Sequence, residues 1–491
     1  MKKFLLILSC FVIIFTTTAC KKKENLLDIS KNLTTYEINI NLDIETKKAT
    51  AKQTVYYVNN TGTILKTIKF HLYPQYFEQG GTDFVLSSTK LNNAYPNGMS
   101  YADFNVTRVL ANNEEKTVVY DGDMDGILII DLTNSIMPDD TIEIKMEYSF
   151  ALPHCHHRFG YGNNTINLGN FYPIVCAFDN EEFNVSPYHQ NGDPFYSDIA
   201  NYSVSITADY QYIVAGTGEK VYENTDNNLK STEFYATAVR DFALVLSNKF
   251  QVATEQLNNT KIEYFYFNDN NFTSSLQAGV DAIATFSKLF GEYPYSTFSI
   301  VQADFIHGGM EYPNLVLISA DITELDDYMN VIVHETAHQW WYGIIGNNQF
   351  EYPWLDEALT EYSTVLFYDH NGGYNLTHEK MISLNRENYS LFISVYEDVL
   401  GTIDTSMRAV DKYPTEPEYT YCTYIKGVLM WDSLQSLIGE KKLLNGLQTY
   451  YNNLKFKNAT PDDLIGSLNE ATKQNLEPFF ASWLNGHVVI R

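Results

Sequence analysis

Cysteine is scarce, with five in 491 residues. Cys10 lies inside an apolar leader and Cys20 just beyond it, so Cys155, Cys176 and Cys422 alone remain for the body of the chain. Three thiols build no disulfide framework, and the fold has to stand on its core. The one pairing open to it is Cys155 with Cys176. Basic residues are also short, 33 Lys and Arg against 60 Asp and Glu, giving a formal net charge of -27. A chain so acidic lacks the cationic footprint that phosphate-backbone binding needs, so nucleic acid is excluded as an expected partner. The acidity suits solubility, or a field that gathers cationic substrates. The sequence has no internal repeat and no low-complexity segment. Its one apolar run at the start, Phe4 to Phe15, is too short to span a bilayer as a mature helix.

What is present begins at that run. Lys2 and Lys3 precede it, small and polar residues come after, and the pattern is that of an export signal over residues 1–19. "TTAC", Thr17 to Cys20, resembles the lipobox of bacterial lipoproteins, with Thr17 where leucine is usual. The resemblance implies cleavage before Cys20 and lipidation at that residue. Residues 20–30 would then form a polar tether on the extracytoplasmic face of the cell membrane, with Lys21, Lys22 and Lys23 beside anionic headgroups. The other reading is an ordinary secretory signal with an incidental cysteine, which gives a secreted protein.

At 45% hydrophobic residues, with 37 Tyr, the chain can bury large cores, and its length suggests two domains or three. From residue 31 to about 240 the hydrophobic period is two. In "YEININLDI", Tyr36, Ile38, Ile40, Leu42 and Ile44 face one way and Glu37, Asn39, Asn41 and Asp43 the other, which predicts a half-buried strand. "TIEIKMEYSF" and "YSVSITA" repeat the pattern, and an antiparallel β domain is expected over 31–240. From 241 to 491 helices become prominent. "FTSSLQAGVDAIATFSKLFG" predicts an amphipathic helix ending near Gly291, and further helices are expected to hold "VIVHETAHQWW" and to start near Trp354 and Tyr424. In "NATPDDLIGSLNEAT", Thr460 reads as an N-cap with Pro461 at the first helical position.

"VIVHETAHQWW", Val331 to Trp341, carries the chemistry. Two histidines and a glutamate among Val, Ile and Trp are costly unless something compensates them. His334 and His338 are four apart, so a helix places both imidazoles on one face, where they can take two corners of a tetrahedral zinc site. Glu335 can then reach a metal-activated water; H-E-x-x-H carries that mechanism in zinc proteases. The alternative is a buried helix whose histidines bond to backbone carbonyls. A catalytic zinc needs a third protein ligand. "PWLDEALTEY" offers Glu357, nineteen positions after His338, on a second helix. Glu361, one turn on, reads as a solvated carboxylate or as an orienting partner of a ligand.

At these residues the sequence resembles the M1 family of zinc metallopeptidases, the gluzincin aminopeptidases. His334, Glu335, His338 and Glu357 stand as the family's HExxH, eighteen residues, then E. "WLDEALTEY" resembles its WLNEGFAxY, "GGMEY" its GxMEN and "YIKG" its YxKG, in the family's order. The resemblance implies an α+β multidomain fold, with a saddle-like antiparallel β domain followed by a thermolysin-like α/β zinc-peptidase domain. It implies one Zn2+ per chain held by His334, His338 and Glu357. Glu335 would be general base and acid, and Tyr424 the donor to the oxyanion. Gly308, Gly309, Met310 and Glu311 would bind a peptide by its free N-terminus. The expected activity is release of N-terminal residues from peptides. A broad zinc endopeptidase and a non-catalytic peptide-binding surface lipoprotein are the alternatives.

The pattern departs from the family in three places. Tyr312 replaces the asparagine of GxMEN. The region "YPIVCAFDNEEFNVSPYHQNGDPFY" shows no partner for Glu311 from the β domain. The chain stops at Arg491, where many members add a helical domain, so a more open cleft is expected. "HCHHRFG" at His154 reads as a structural loop rather than a second metal site, and His307 as a pocket or surface residue.

Overall fold

The computed structural model describes residues 26–122, 125–397, 401, 404–486 and 488. The export signal, Cys20 and the first part of the tether lie outside the described residues. No helix among the described residues is long and apolar enough to cross a membrane.

The fold is α+β, as expected, with β-sheets first and a helix-rich half second. Among the described residues the largest sheet has eight strands. Its order is Glu219–Asp226, Leu229–Val239, Ala200–Asp209, Thr35–Asp43, Lys48–Val58, Thr141–Ala151, Asp103–Ala111, Glu114–Lys116. Neighbours are antiparallel except Thr35–Asp43 beside Ala200–Asp209. Period-two patterning decides its inner face: Tyr36, Ile38, Ile40 and Leu42 are buried while Glu37, Asn39, Asn41 and Asp43 are exposed. Among the described residues two four-stranded sheets and the two-stranded pair Phe178–Asp179 with Glu182–Phe183 complete this half. One of them includes Ala243–Ser247, beyond the expected boundary at 240, because that strand pairs with Ile166–Gly169 and Ile213–Gly216.

The second half begins with a five-stranded sheet, ordered Gln251–Leu257, Thr260–Tyr266, Thr297–Ala303, Leu315–Ser319, Gly309–Met310. Its inner strand Leu315–Ser319, "LVLIS", is a nearly continuous apolar run buried on both faces. Gly309–Met310 is a two-residue antiparallel edge. Four helices build and support the cleft beside that edge: α1 (Phe272–Leu289) packs on α2 (Leu325–Ala337), which lines the cleft together with α3 (Trp354–His370), and α4 (Lys426–Ile438) packs on α3. Thr460 caps the helix Pro461–Thr472 in a capping box with Asp463.

Arg240 fastens the halves together. Its fully buried guanidinium donates from Nε to the Tyr342 carbonyl at 2.6 Å, from Nη1 to the Ser197 carbonyl at 2.9 Å and from Nη2 to the Lys457 carbonyl at 2.6 Å. Tyr342 holds φ 145°, a conformation L-residues rarely adopt, and its hydroxyl is fixed on Asp241. Cys155, Cys176 and Cys422 are buried free thiols, so the Cys155–Cys176 pairing does not form.

Candidate active site

Helix α2 starts with Asp326 and Asp327 in its first turn and ends at Ala337, with His338 as its C-cap. Beyond it the chain widens into five-residue backbone bonds, Gly343 N–H to His338 O at 2.9 Å and Ile344 N–H to Gln339 O at 2.9 Å. It then returns as α3, with Asp356 and Glu357 in the first turn. The two helices bring three atoms together. Nε2 of His334 and Nε2 of His338 are 3.2 Å apart, and Oε2 of Glu357 lies 3.2 Å from the second and 3.6 Å from the first. A tetrahedral ion held at roughly 2.0–2.1 Å needs donor–donor edges of about 3.3–3.4 Å. The three edges fit a zinc ion.

The surroundings set the tautomer. Nδ1 of His338 is 3.0 Å from the Trp341 carbonyl, so in the neutral imidazole it carries the proton and leaves the Nε2 lone pair free; Thr360 Oγ1 adds a contact at 3.1 Å. Nδ1 of His334 faces Glu361 Oε2 at 3.8 Å, and that carboxylate is 28% exposed. Glu361 is therefore partly buried against His334 rather than freely solvated.

Glu335 is buried, and its Oε2 has no hydrogen-bond partner. A Cβ on Gly309 would stand 2.3 Å from its Oε1, so only glycine lets the edge strand lie on this carboxylate. Burial pushes the Glu335 carboxyl up to about 7 against the opposing pull of His334 and His338. Asp356 is likewise pushed up to about 7 by burial and by Glu357. Burial alone would depress His338, but Glu311 and Glu357 outweigh it and raise it to about 10. Burial also opposes the charge of Glu357, yet His338 and His334 hold it below the usual carboxylate range. Four buried carboxylates, Glu311, Glu335, Asp356 and Glu357, thus face two imidazoles. The missing positive charge is what a divalent ion and an ammonium group would supply.

Glu311 ends the edge strand. Gln349 Nε2 donates to its Oε1 at 3.0 Å and to Asp356 Oδ2 at 2.8 Å. Burial first, then Asp193, raise the Glu311 carboxyl well above its ordinary value. Asp193 comes from the N-terminal half and lines the same cleft of about 540 Å³. It pairs with buried Arg158 at 2.5 Å, and the guanidinium lies 4.9 Å from the Phe195 ring centre. Asp193, Gln349 and Asp356 are not legible in the sequence as site residues. Asp356 stands beside a candidate ligand there, but Asp193 and Gln349 carry no local signal.

Of the other expected site residues, Gly308 and Gly309 line the cleft, whereas the Met310 side chain is buried in the core and does not. Tyr424 sits in the π-helical turn Tyr421–Ile425 leading into α4. It donates its hydroxyl to Glu357 Oε1 at 2.5 Å, and its ring lies 6.4 Å from that of His334. Gly427 permits the approach of α4 to α3, since a Cβ there would be 2.3 Å from the Ala358 methyl. Lys426 is buried and bound to Asp404, to the carbonyl at 2.7 Å and the carboxylate at 2.9 Å. Tyr312 reaches the β half, donating to Asn170 Oδ1 at 3.0 Å. His307 lies in the cleft with Nε2 3.1 Å from Nε2 of His157, while His154 stacks on Tyr161 at 4.8 Å. Among the described residues the "HCHHRFG" loop contributes no three-donor group.

Residues 275–483 match the Peptidase family M1 domain. The aminopeptidase N of Lactobacillus delbrueckii subsp. lactis is 28% identical over 239 residues, 44% of this chain and 27% of that protein. Leucine aminopeptidase 2 of Lodderomyces elongisporus is 24% identical over 248 residues, 46% of this chain and 37% of that one. Human aminopeptidase B is 26% identical over 196 residues, 37% and 29%. The match thus spans well under half the length of these relatives. In fold, an M1 zinc metallopeptidase of Deinococcus radiodurans superposes with a TM-score of 0.66 at 15% identity, over 94% of this chain and 96% of that one. A variant of it bound to a Tyr-Ser-Ala substrate gives 0.65 at 14% identity, with the same coverage.

Proposed function

We propose that this chain, with its M1 peptidase domain and M1 metallopeptidase fold, is a zinc aminopeptidase that removes N-terminal residues from peptides. The observation that carries this reading is the convergence of His334, His338 and Glu357, with an unpartnered Glu335 carboxylate on one side and Glu311 on the other. When bound, zinc supplies a Lewis acid and lowers the pKa of water towards neutrality. The chain's own groups do the rest. Glu335 accepts a proton from the attacking water and passes it to the leaving amine. Glu311, with Asp193 opposite, receives the substrate's ammonium group and so places the first peptide bond, rather than an internal one, beside Glu335. The Gly309–Met310 edge accepts the peptide by β-augmentation. Tyr424 releases Glu357 to donate its hydroxyl to the developing oxyanion, where one such donor is worth on the order of a hundredfold in rate.

The zinc-loaded protein should hydrolyse amino-acid anilides and spare their N-acetyl forms. Cleavage of both would favour a broad endopeptidase. Cleavage of neither, with zinc bound, would favour a peptide-binding surface protein.

Location is part of the same proposal. The "TTAC" stretch supports lipidation at Cys20 and display on the extracytoplasmic face of the membrane, through a signal that ends at residue 19. Labelled fatty acid should be incorporated, and Cys20→Ser should release the protein from membranes. Equal membrane retention by that variant would refute the anchor.

A further inference from the structure

The cleft has a far wall that the chemistry above does not use. Lys90, in the N-terminal half, forms an ion pair with Glu416 at the start of the helix Glu416–Thr420. Ser87 Oγ donates to the other oxygen of that carboxylate at 3.0 Å. Lys90 Nζ also lies 3.4 Å from Nδ1 of His307. All but Ser87 line the cleft, and the helix carrying Glu416 runs straight into the turn that bears Tyr424.

Direction is set by the edge strand. With its ammonium group at Glu311, a bound peptide extends back past Gly309 and Gly308 towards His307, because residues 306–309 line the cleft while Tyr312 is buried outside it. Four residues at about 3.3 Å each make at most about 13 Å of strand from Glu311 to His307. A peptide therefore meets the Lys90–Glu416 pair at about its fifth residue, four steps on from the first.

Resting on the aminopeptidase reading, we propose that the Lys90–Glu416 bridge is a latch across the cleft that sets substrate length, making short peptides of two to four residues the preferred substrate class. Longer chains must part the bridge to pass between the halves. The pair is about one-third exposed on each side, so opening it costs up to about fivefold in specificity.

The test is the ratio of kcat/KM for hexa-alanine to that for tri-alanine, taken within each zinc-loaded protein so that general losses cancel. The unsubstituted chain should give a ratio up to about fivefold below one. Glu416→Gln and Lys90→Met, which break the bridge from opposite sides, should each bring the ratio to about one. The reversed pair Lys90→Glu with Glu416→Lys should restore the length preference. A flat profile in the unsubstituted chain, or the same decline in both single variants, overturns the latch while anilide hydrolysis leaves the aminopeptidase reading standing. Silence on anilide and peptides alike would defeat that reading, and this inference with it.

Discussion

The two ends of the cleft are built differently. At the proposed metal end, His334, His338 and Glu357 come from two neighbouring helices, joined by a connection that includes the short strand Ile345–Asn347, within 24 residues of chain. At the amine end, Glu311 sits on a sheet edge, Gln349 on the turn after α2, and Asp193 on the other half of the molecule, held by Arg158. The first is a local arrangement that helical spacing nearly dictates; the second exists only when both halves have folded and docked. Damage at the metal end should therefore abolish chemistry with the fold intact, while damage at the amine end should disturb specificity and stability together.

The largest effect on rate should come from Glu335→Gln. Zinc should remain stoichiometric by elemental analysis while kcat falls by on the order of a hundredfold to ten-thousandfold. Retained turnover would remove Glu335 as the base. Tyr424→Phe should lower kcat by about a hundredfold and, because the hydroxyl also holds Glu357, weaken zinc by at least about tenfold in a chelator competition. A change in zinc affinity without a change in kcat would make Tyr424 a positioning residue alone. Asp193→Asn tests the other end. It strands the Arg158 guanidinium, so unfolding should cost about 3 kcal/mol less by denaturant titration, and discrimination between free and acetylated substrates should narrow. Unchanged stability with unchanged discrimination would separate Asp193 from the site.

The pH dependence has a definite sign. Burial raises the Glu335 carboxyl towards about 7, and a base must be deprotonated to act. A bound cation draws the value back down. The acid limb of kcat/KM should therefore lie below pH 7, falling tenfold per pH unit on its steep side. A limb above 7 would assign it to another group. The smallest effect belongs to Glu361→Gln, whose carboxylate is 3.8 Å from His334 and partly solvated. It should weaken zinc by about tenfold or less.

The same contrast explains what was legible in the sequence. Period-two alternation in Tyr36–Ile44 announced the half-buried sheet, because that pattern comes from one buried face, whereas the continuous apolar run "LVLIS" carries no period and is placed by its sheet partners. The boundary near 240 was less legible, since Ala243–Ser247 owes its allegiance to pairing with Ile166–Gly169, far back in the chain. The histidine pair stands at a spacing that a helix enforces, and Glu357 returns in the first turn of the next helix. Asp193 is an acid before a proline in an irregular stretch, and its role comes from a domain contact with no trace in local pattern. Glu361 illustrates the middle case: its helical register pointed towards the site, its composition towards solvent, and the structure puts it half-buried against His334.

The proposed function depends on two imidazoles and one carboxylate gripping a single divalent ion. The most direct measurement is X-ray absorption at the zinc edge on protein dialysed against excess zinc and then against buffer. One zinc per chain with only nitrogen and oxygen neighbours at about 2.0–2.1 Å, lost in His338→Ala, is the predicted result. A metal-free folded protein, or a zinc site unchanged by that substitution, would contradict it.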